Sequence, residues 1–301
     1  MGQQTSHQCH DGPVNAVASL DASSIVVSGG SDGVVCRHEP GTEPQSLTDI
    51  GAAISAMEAL PGGGLLVGCE DGTLAAISID DAGVTAQPEF HTGLVSAIEV
   101  LPALDRALTT SYDGTIGVWE LDSWQPREKL VDDALAPIVS ATVDPAEEWF
   151  ATSGIDAPVR IWGTDDYATL TTLADESETM VDMVTTPDST QLLGLNYEGR
   201  IETWGTEIWG TEGAFQTSDS GEGQLALHPE GQHIAVRESQ GVSLFTLGGE
   251  IATHFGLTPG RVASLHFAAD GTILRVGCED GRVVSLEIDL EYQQDTYHLP
   301  E

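Results

Sequence analysis

The chain repeats itself, and the period decides the architecture. An acidic or polar residue, usually followed by glycine, recurs at Asp32-Gly33, Asp71-Gly72, Asp113-Gly114, Asp156-Ala157, Glu198-Gly199, Gln240-Gly241 and Asp280-Gly281, at intervals of 39 to 43 residues. A short apolar run precedes each pair, such as Leu65-Leu66-Val67 or Ile273-Leu274, and another follows most of them, as in Thr115-Ile116-Gly117-Val118-Trp119. A third run leads most units: Val14-Asn15-Ala16-Val17, Ile54-Ser55-Ala56-Met57, Val95-Ser96-Ala97-Ile98, Val139-Ser140-Ala141-Thr142, Val181-Asp182-Met183-Val184 and Val262-Ala263-Ser264-Leu265. Turn residues separate the first two runs, among them Pro61-Gly62-Gly63-Gly64 and Pro229-Glu230-Gly231.

Each unit therefore reads as strand, turn, strand, Asp-Gly turn, strand and a weaker outer strand. Asp-Gly suits the tight hairpin because glycine accepts positive φ and aspartate tolerates it. One four-stranded unit cannot bury both of its faces. Repeats of about 40 residues solve this by stacking radially around a channel. The expectation is an all-β chain, a single seven-bladed β-propeller of four-stranded antiparallel blades over 1–301. Its blades fall at about 10–49, 50–90, 91–133, 134–175, 176–218, 219–256 and 257–290. The last blade lacks an outer strand, and either residues 3–9 or the C-terminal tail must supply it.

The third unit has the fullest pattern: His91-Thr92-Gly93, then Thr109 to Gly114, then Ile116 to Glu120. With these residues the chain resembles the WD-repeat family over essentially its whole length. The resemblance implies a hydrogen-bonded tetrad of His91, Asp113, Thr109 and Trp119. The first unit keeps His10, Asp32 and Ser28 at the same spacing, with His38 in place of tryptophan. Units four and five keep Trp162 and Trp204 without the histidine, and units two, six and seven are degenerate. Family resemblance implies a non-catalytic scaffold or adaptor that binds a protein or peptide on the propeller face. The family's geometry also turns the residue before each turn aspartate outward on one face. Tyr112, Ile155 and Tyr197 occupy those positions on consecutive blades, so they are the expected partner-binding residues, with Asp182 at the inner edge of their arc.

Charge narrows the partners. Ten basic residues stand against 48 acidic ones, a net charge of −38, and Lys129 is the one lysine. The acids are spread along the chain, which reads as adaptation of the whole surface to a salt-rich cytoplasm. A dedicated acidic surface for a basic partner is the alternative. Direct nucleic-acid binding is disfavoured, since a phosphate backbone calls for Lys and Arg. No apolar run reaches the roughly 18 residues of a membrane span. Met1 to His10 is polar and lacks the apolar core of a secretory leader, so the expected location is cytoplasmic.

Apparent chemistry dissolves on inspection. Gly29-Gly30-Ser31-Asp32-Gly33 has the spacing of a nucleophile elbow, but that elbow needs a strand-to-helix turn and this context is strand-turn-strand. Ser28, His10 and Asp32 have the residue types of a catalytic triad, yet their counterparts in unit three assign them to the tetrad. His7, Cys9, His10, Cys36 and His38 are zinc ligands by type, although His10 and His38 already belong to the repeat. Met1-Gly2-Gln3-Gln4-Thr5-Ser6 fits the short, permissive myristoylation pattern. The four cysteines form no CxxC pair and are expected to be free thiols. The reading is of no enzyme, no metal and no cofactor. A propeller enzyme of the metal-assisted hydrolase type and a small-molecule binder at the central channel are the alternatives.

Overall fold

The computed structural model describes residues 4–20, 25–80, 82–131, 137–173, 179–218, 223–239, 241–257 and 261–290. Gln240, the myristoylation motif up to Gln3 and the tail 291–301 lie outside these residues. Seven four-stranded antiparallel sheets follow one another, and one 3-10 turn, Pro102–Leu104, is the sole helical element among the described residues. The fold is a seven-bladed β-propeller.

Blade three shows the plan, with Val95–Leu101, Arg106–Ser111, Thr115–Glu120 and Pro126–Val131 paired in that order. Gly114, at φ +79°, makes its turn after Asp113 in the left-handed region that glycine occupies without a steric cost. The two middle strands are almost wholly buried, while the outer strand is mostly exposed. This is the burial expected when both faces of a sheet press on neighbours and its outer edge meets solvent.

Lead strands neighbour one another around the channel, and the last, Val262–Phe267, touches the first, Val14–Ser19. Six of the seven carry a register shift near their start, such as that between Val95 and Ala97 or between Met180 and Asp182. At such a bulge two residues oppose one, and the strand bends. In these six, adjacent positions such as Asn15 and Ala16 or Ser55 and Ala56 line the channel together.

Apolar cores fill the spaces between blades. Six of these clusters hold seven to twelve buried residues each, but the seam between blades seven and one holds only Val14, Val17, Val26 and Val283. At this seam Gln4–Gln8 pairs antiparallel with Arg282–Glu287, from Gln4 opposite Leu286 to Gln8 opposite Arg282. The N-terminal strand thus supplies the fourth strand of the last blade and covers its edge.

Deleting residues 1–8 should lower the calorimetric melting midpoint and promote self-association, as Arg282–Glu287 becomes an open edge. Light scattering would check the second effect. A variant that melts and scatters light like the parent would show that the ring closes in another way.

Candidate functional site

In blade three, the Trp119 indole N–H donates to Thr109 Oγ1 at 2.9 Å, and Thr109 lies 2.7 Å from His91 Nε2. Thr115 stands between His91 and the turn: its Oγ1 is 2.9 Å from His91 Nδ1 and donates to Asp113 at 2.6 Å, while the direct His91–Asp113 distance is 3.6 Å. The expected tetrad residues are therefore gathered in one place, with a fifth group inserted. Burial pulls the Asp113 carboxyl upward, but hydrogen bonds from Thr115 and the Thr92 N–H outweigh it and hold the group at about 2. Burial pushes His91 down to about 4, against the pull of Asp113. The neutral imidazole has a consistent proton order, in which Nδ1–H donates toward Thr115 and Nε2 accepts from Thr109.

Blade one repeats this with a substitution. His10 lies 3.1 Å from Asp32 through Nδ1 and 2.8 Å from Ser28 through Nε2. His38 Nε2 lies 2.8 Å from the same Ser28 hydroxyl, the place that an indole N–H takes in blade three. Burial brings His38 down to about 4, helped by the nearby His10, His7 and Arg275. A neutral His38 donating from Nε2 does the job of the missing tryptophan. Ser28 and His10 are fully enclosed, so this triad-like set has no open approach for a substrate. Blade four keeps only the last link, Trp162 to Thr152 at 2.9 Å.

The channel is a cavity of about 530 Å³ whose wall is joined blade to blade by hydrogen bonds. Asn15 donates to the Ile54 carbonyl, Ser55 to Val95, and Ser264 to Val14 across the seam. Ser140 reaches Asp182 at 3.4 Å, Asp182 accepts from the Leu225 N–H at 2.8 Å, and Gln224 accepts from Leu265. Asp182 is thus tied into the wall, and burial brings it up to about 6 against the hydrogen bonds it accepts. Glu58 and Glu99, which the sequence reading missed, also line the channel. Burial raises Glu58 to about 7; burial and then the charges of Glu58 and Asp182 raise Glu99 well above its ordinary value. An acid at the fifth place of two consecutive lead runs was the available signal.

Tyr112, Ile155 and Tyr197 are 43%, 37% and 44% exposed, and both tyrosines line the channel cavity. Arg237 and Glu279 form a 3.9 Å ion pair, with Arg237 also in the cavity lining. The cysteine expectation needs correction. Cys9 and Cys36 are joined by a disulfide, while Cys69 and Cys278 are free and buried. Chain spacing gave no sign of a bridge, because the two positions meet only once the blade has folded. With His10, these sulfurs lie within 4.8 Å of one another, but both imidazole nitrogens of His10 already serve Asp32 and Ser28.

Seven repeated sheets around a channel, two of them with His–hydroxyl networks at the blade junction, define a propeller built from tetrad-bearing repeats. The WD domain, G-beta repeat pattern matches residues 2–37, which span the first of these networks up to Arg37. Over those residues the chain is similar to the WD-repeat family. It is similar to WD repeat-containing protein 90 of Mus musculus, 34% identical over 111 residues, and to WD repeat-containing protein 90 of Homo sapiens, 30% identical over 162 residues. Those stretches cover 37% and 53% of this chain but only 6% and 9% of the two relatives. Propellers of this family typically act as interaction scaffolds without catalysis.

The channel acids generate a pH prediction. A carboxyl raised by folding destabilises the fold when ionised, and that cost vanishes below its unfolded value, near 4.5 for Glu. Changing Glu58 and Glu99 together to Gln should raise the melting midpoint at pH 8, and the gain should shrink to nothing by about pH 4.5. A gain independent of pH would mean that charge burial is not its cause.

Proposed function

We propose that this chain is a non-catalytic scaffold that docks a protein or peptide segment on the face around the channel mouth, across blades three to five. The observation that carries the reading is the arc of Tyr112, Ile155 and Tyr197, exposed on three consecutive blades. Their counterparts Glu70 and Glu279 are exposed acids and Ser31 is half-buried, so the face is apolar along one arc and acidic along the other. Tyrosine makes a good anchor because it offers large contact area and a hydrogen bond while losing little rotamer freedom. Asp182 supports the arc from within the channel wall and is not itself a free contact, given its bonds to Ser140, Met183 and Leu225.

The same proposal places the protein in a salt-adapted cytoplasm. A single lysine among 301 residues and a net charge of −38 support that reading. Dense carboxylates keep a surface hydrated, and salt screens their repulsion over about 3 Å at 1 M but only about 10 Å at 0.1 M. No helix among the described residues is long and apolar enough to cross a membrane.

Two measurements test the proposal. Changing Tyr112 and Tyr197 to Ala should weaken capture of the native partner by roughly 2 kcal/mol or more, with the melting midpoint unchanged. A folded double variant that captures the same partners as the parent would move docking to the acidic arc or the opposite face. Separately, the melting midpoint should fall steeply between molar and 0.1 M potassium chloride; a flat profile would leave the acidic surface to be explained by a basic partner.

A further inference from the structure

We propose that Cys9 and Cys36 form a thiol–disulfide exchange site that fastens the ring at the seam with its smallest apolar core, with low-molecular-weight thiols as its co-reactant. Three observations at that seam carry the inference. Its apolar core is four valines, where every other blade interface among the described residues buries seven or more. A cavity of about 330 Å³ opens beside it, lined by Val26, Ile273 and Val283 as well as by His7, His38 and Arg275, so packing there is thin. The disulfide ties Cys9, where the closing strand Gln4–Gln8 ends, to Cys36 in the third strand of blade one.

Internal comparison shows what the bridge replaces. Cys36 lies directly across from Ser28, as Gly117 lies across from Thr109, and Cys9 precedes His10 as Phe90 precedes His91. In blade three these two positions meet by packing: a Cβ on Gly117 would come within 2.8 Å of the Phe90 ring, which itself sits 4.6 Å from Trp119. In blade one the same pair of positions is joined covalently, and the aromatic packing is absent because His38 replaces the tryptophan. Packing at one junction thus corresponds to a bond at the other.

With the bridge intact, the closing strand can swing only about Cys9. Without it, the chain can peel back toward Val14, and the effective concentration of the strand at the edge of Arg282–Glu287 falls. Cys36 is fully buried and Cys9 is half-buried, so of the two sulfurs the attacking thiolate takes that of Cys9. That attack forms a mixed disulfide at Cys9 and expels the Cys36 thiolate, which takes a proton. A second thiolate then attacks the small-molecule sulfur, releasing the small-molecule disulfide and the Cys9 thiolate, which is protonated in turn. The chain gains two thiols and two small thiols become one disulfide. The other cysteines stay out of this exchange: burial, with acidic neighbours, pushes Cys69 up to about 12 and Cys278 up to about 11.

The test uses the full chain in defined ratios of reduced to oxidised glutathione, at constant high salt. Mass spectrometry of the oxidised form should find a Cys9–Cys36 linked peptide, and reduction should expose two reactive thiols while Cys69 and Cys278 remain unreactive. Hydrogen exchange at residues 4–8 and 282–287 should then quicken by about tenfold or more while blade three is unaltered, and the melting midpoint should fall by roughly 5 °C or more. The variant Cys9→Phe/Cys36→Gly copies the blade-three pair and should melt at the same temperature in either redox state. Should the variant fail to fold, exchange on the parent chain alone decides. Three results would overturn the proposal: no linked peptide in the oxidised form, exchange at the seam unchanged by reduction, or one bound zinc per chain that protects Cys9 and Cys36 in the reduced form.

Discussion

The structure depends on one strand pairing that no peptide bond enforces. Between Arg282–Glu287 and Gln4–Gln8 the blade is held by the antiparallel ladder and a hydrogen bond from Arg282 to Ser6, between residues far apart in the chain. Each blade buries its faces against two neighbours, so an unclosed ring would leave one face of a blade and one strand edge in solvent. The interface beside this pairing is also the thinnest in apolar content. Strand closure, the thin seam and the cysteine bridge are therefore parts of one problem.

The second constraint lies at the axis. Lead strands converge there, and their polar side chains join blade to blade around most of the channel, with Asp182 serving both Ser140 and Leu225. Such links satisfy groups that converging strands would otherwise leave without partners, and they oppose relative slip of the blades. Glu58 and Glu99 add the opposite influence, two carboxyls crowded where few counter-charges reach. A protein with 48 acidic residues accepts such crowding even in its interior.

The period, the turn chemistry and the strand order were legible because each comes from local residue types repeated seven times. Tetrad positions were legible for the same reason, down to His38 in the place of tryptophan. What escaped was set by geometry between strands. Asn15 and Ser55 sit in the lead-strand bulge while Ser140 and Asp182 follow it, so the runs read from Val139 and Val181 were one residue out of step with those from Val14 and Ile54. Thr115 entered the His91–Asp113 contact because a hydroxyl two residues after the aspartate folds back onto it. The Cys9–Cys36 bridge joins positions that become neighbours only through the pairing of strands, and cysteine spacing carries no trace of that.

Closure by the N-terminus also has a consequence for synthesis. Gln4–Gln8 leaves the ribosome first among the strands described, while its partner Arg282–Glu287 leaves last. Until residues 282–287 have been made, this segment has no edge to join. Its residues, Gln-Thr-Ser-His-Gln, contain no large apolar side chain and alternate nothing that would drive pairing with a stranger. Exposed apolar strands are those that aggregate while a chain is incomplete. A polar strand can wait in water at little risk, and its modest affinity matters less once six blades and most of a seventh hold its partner in place.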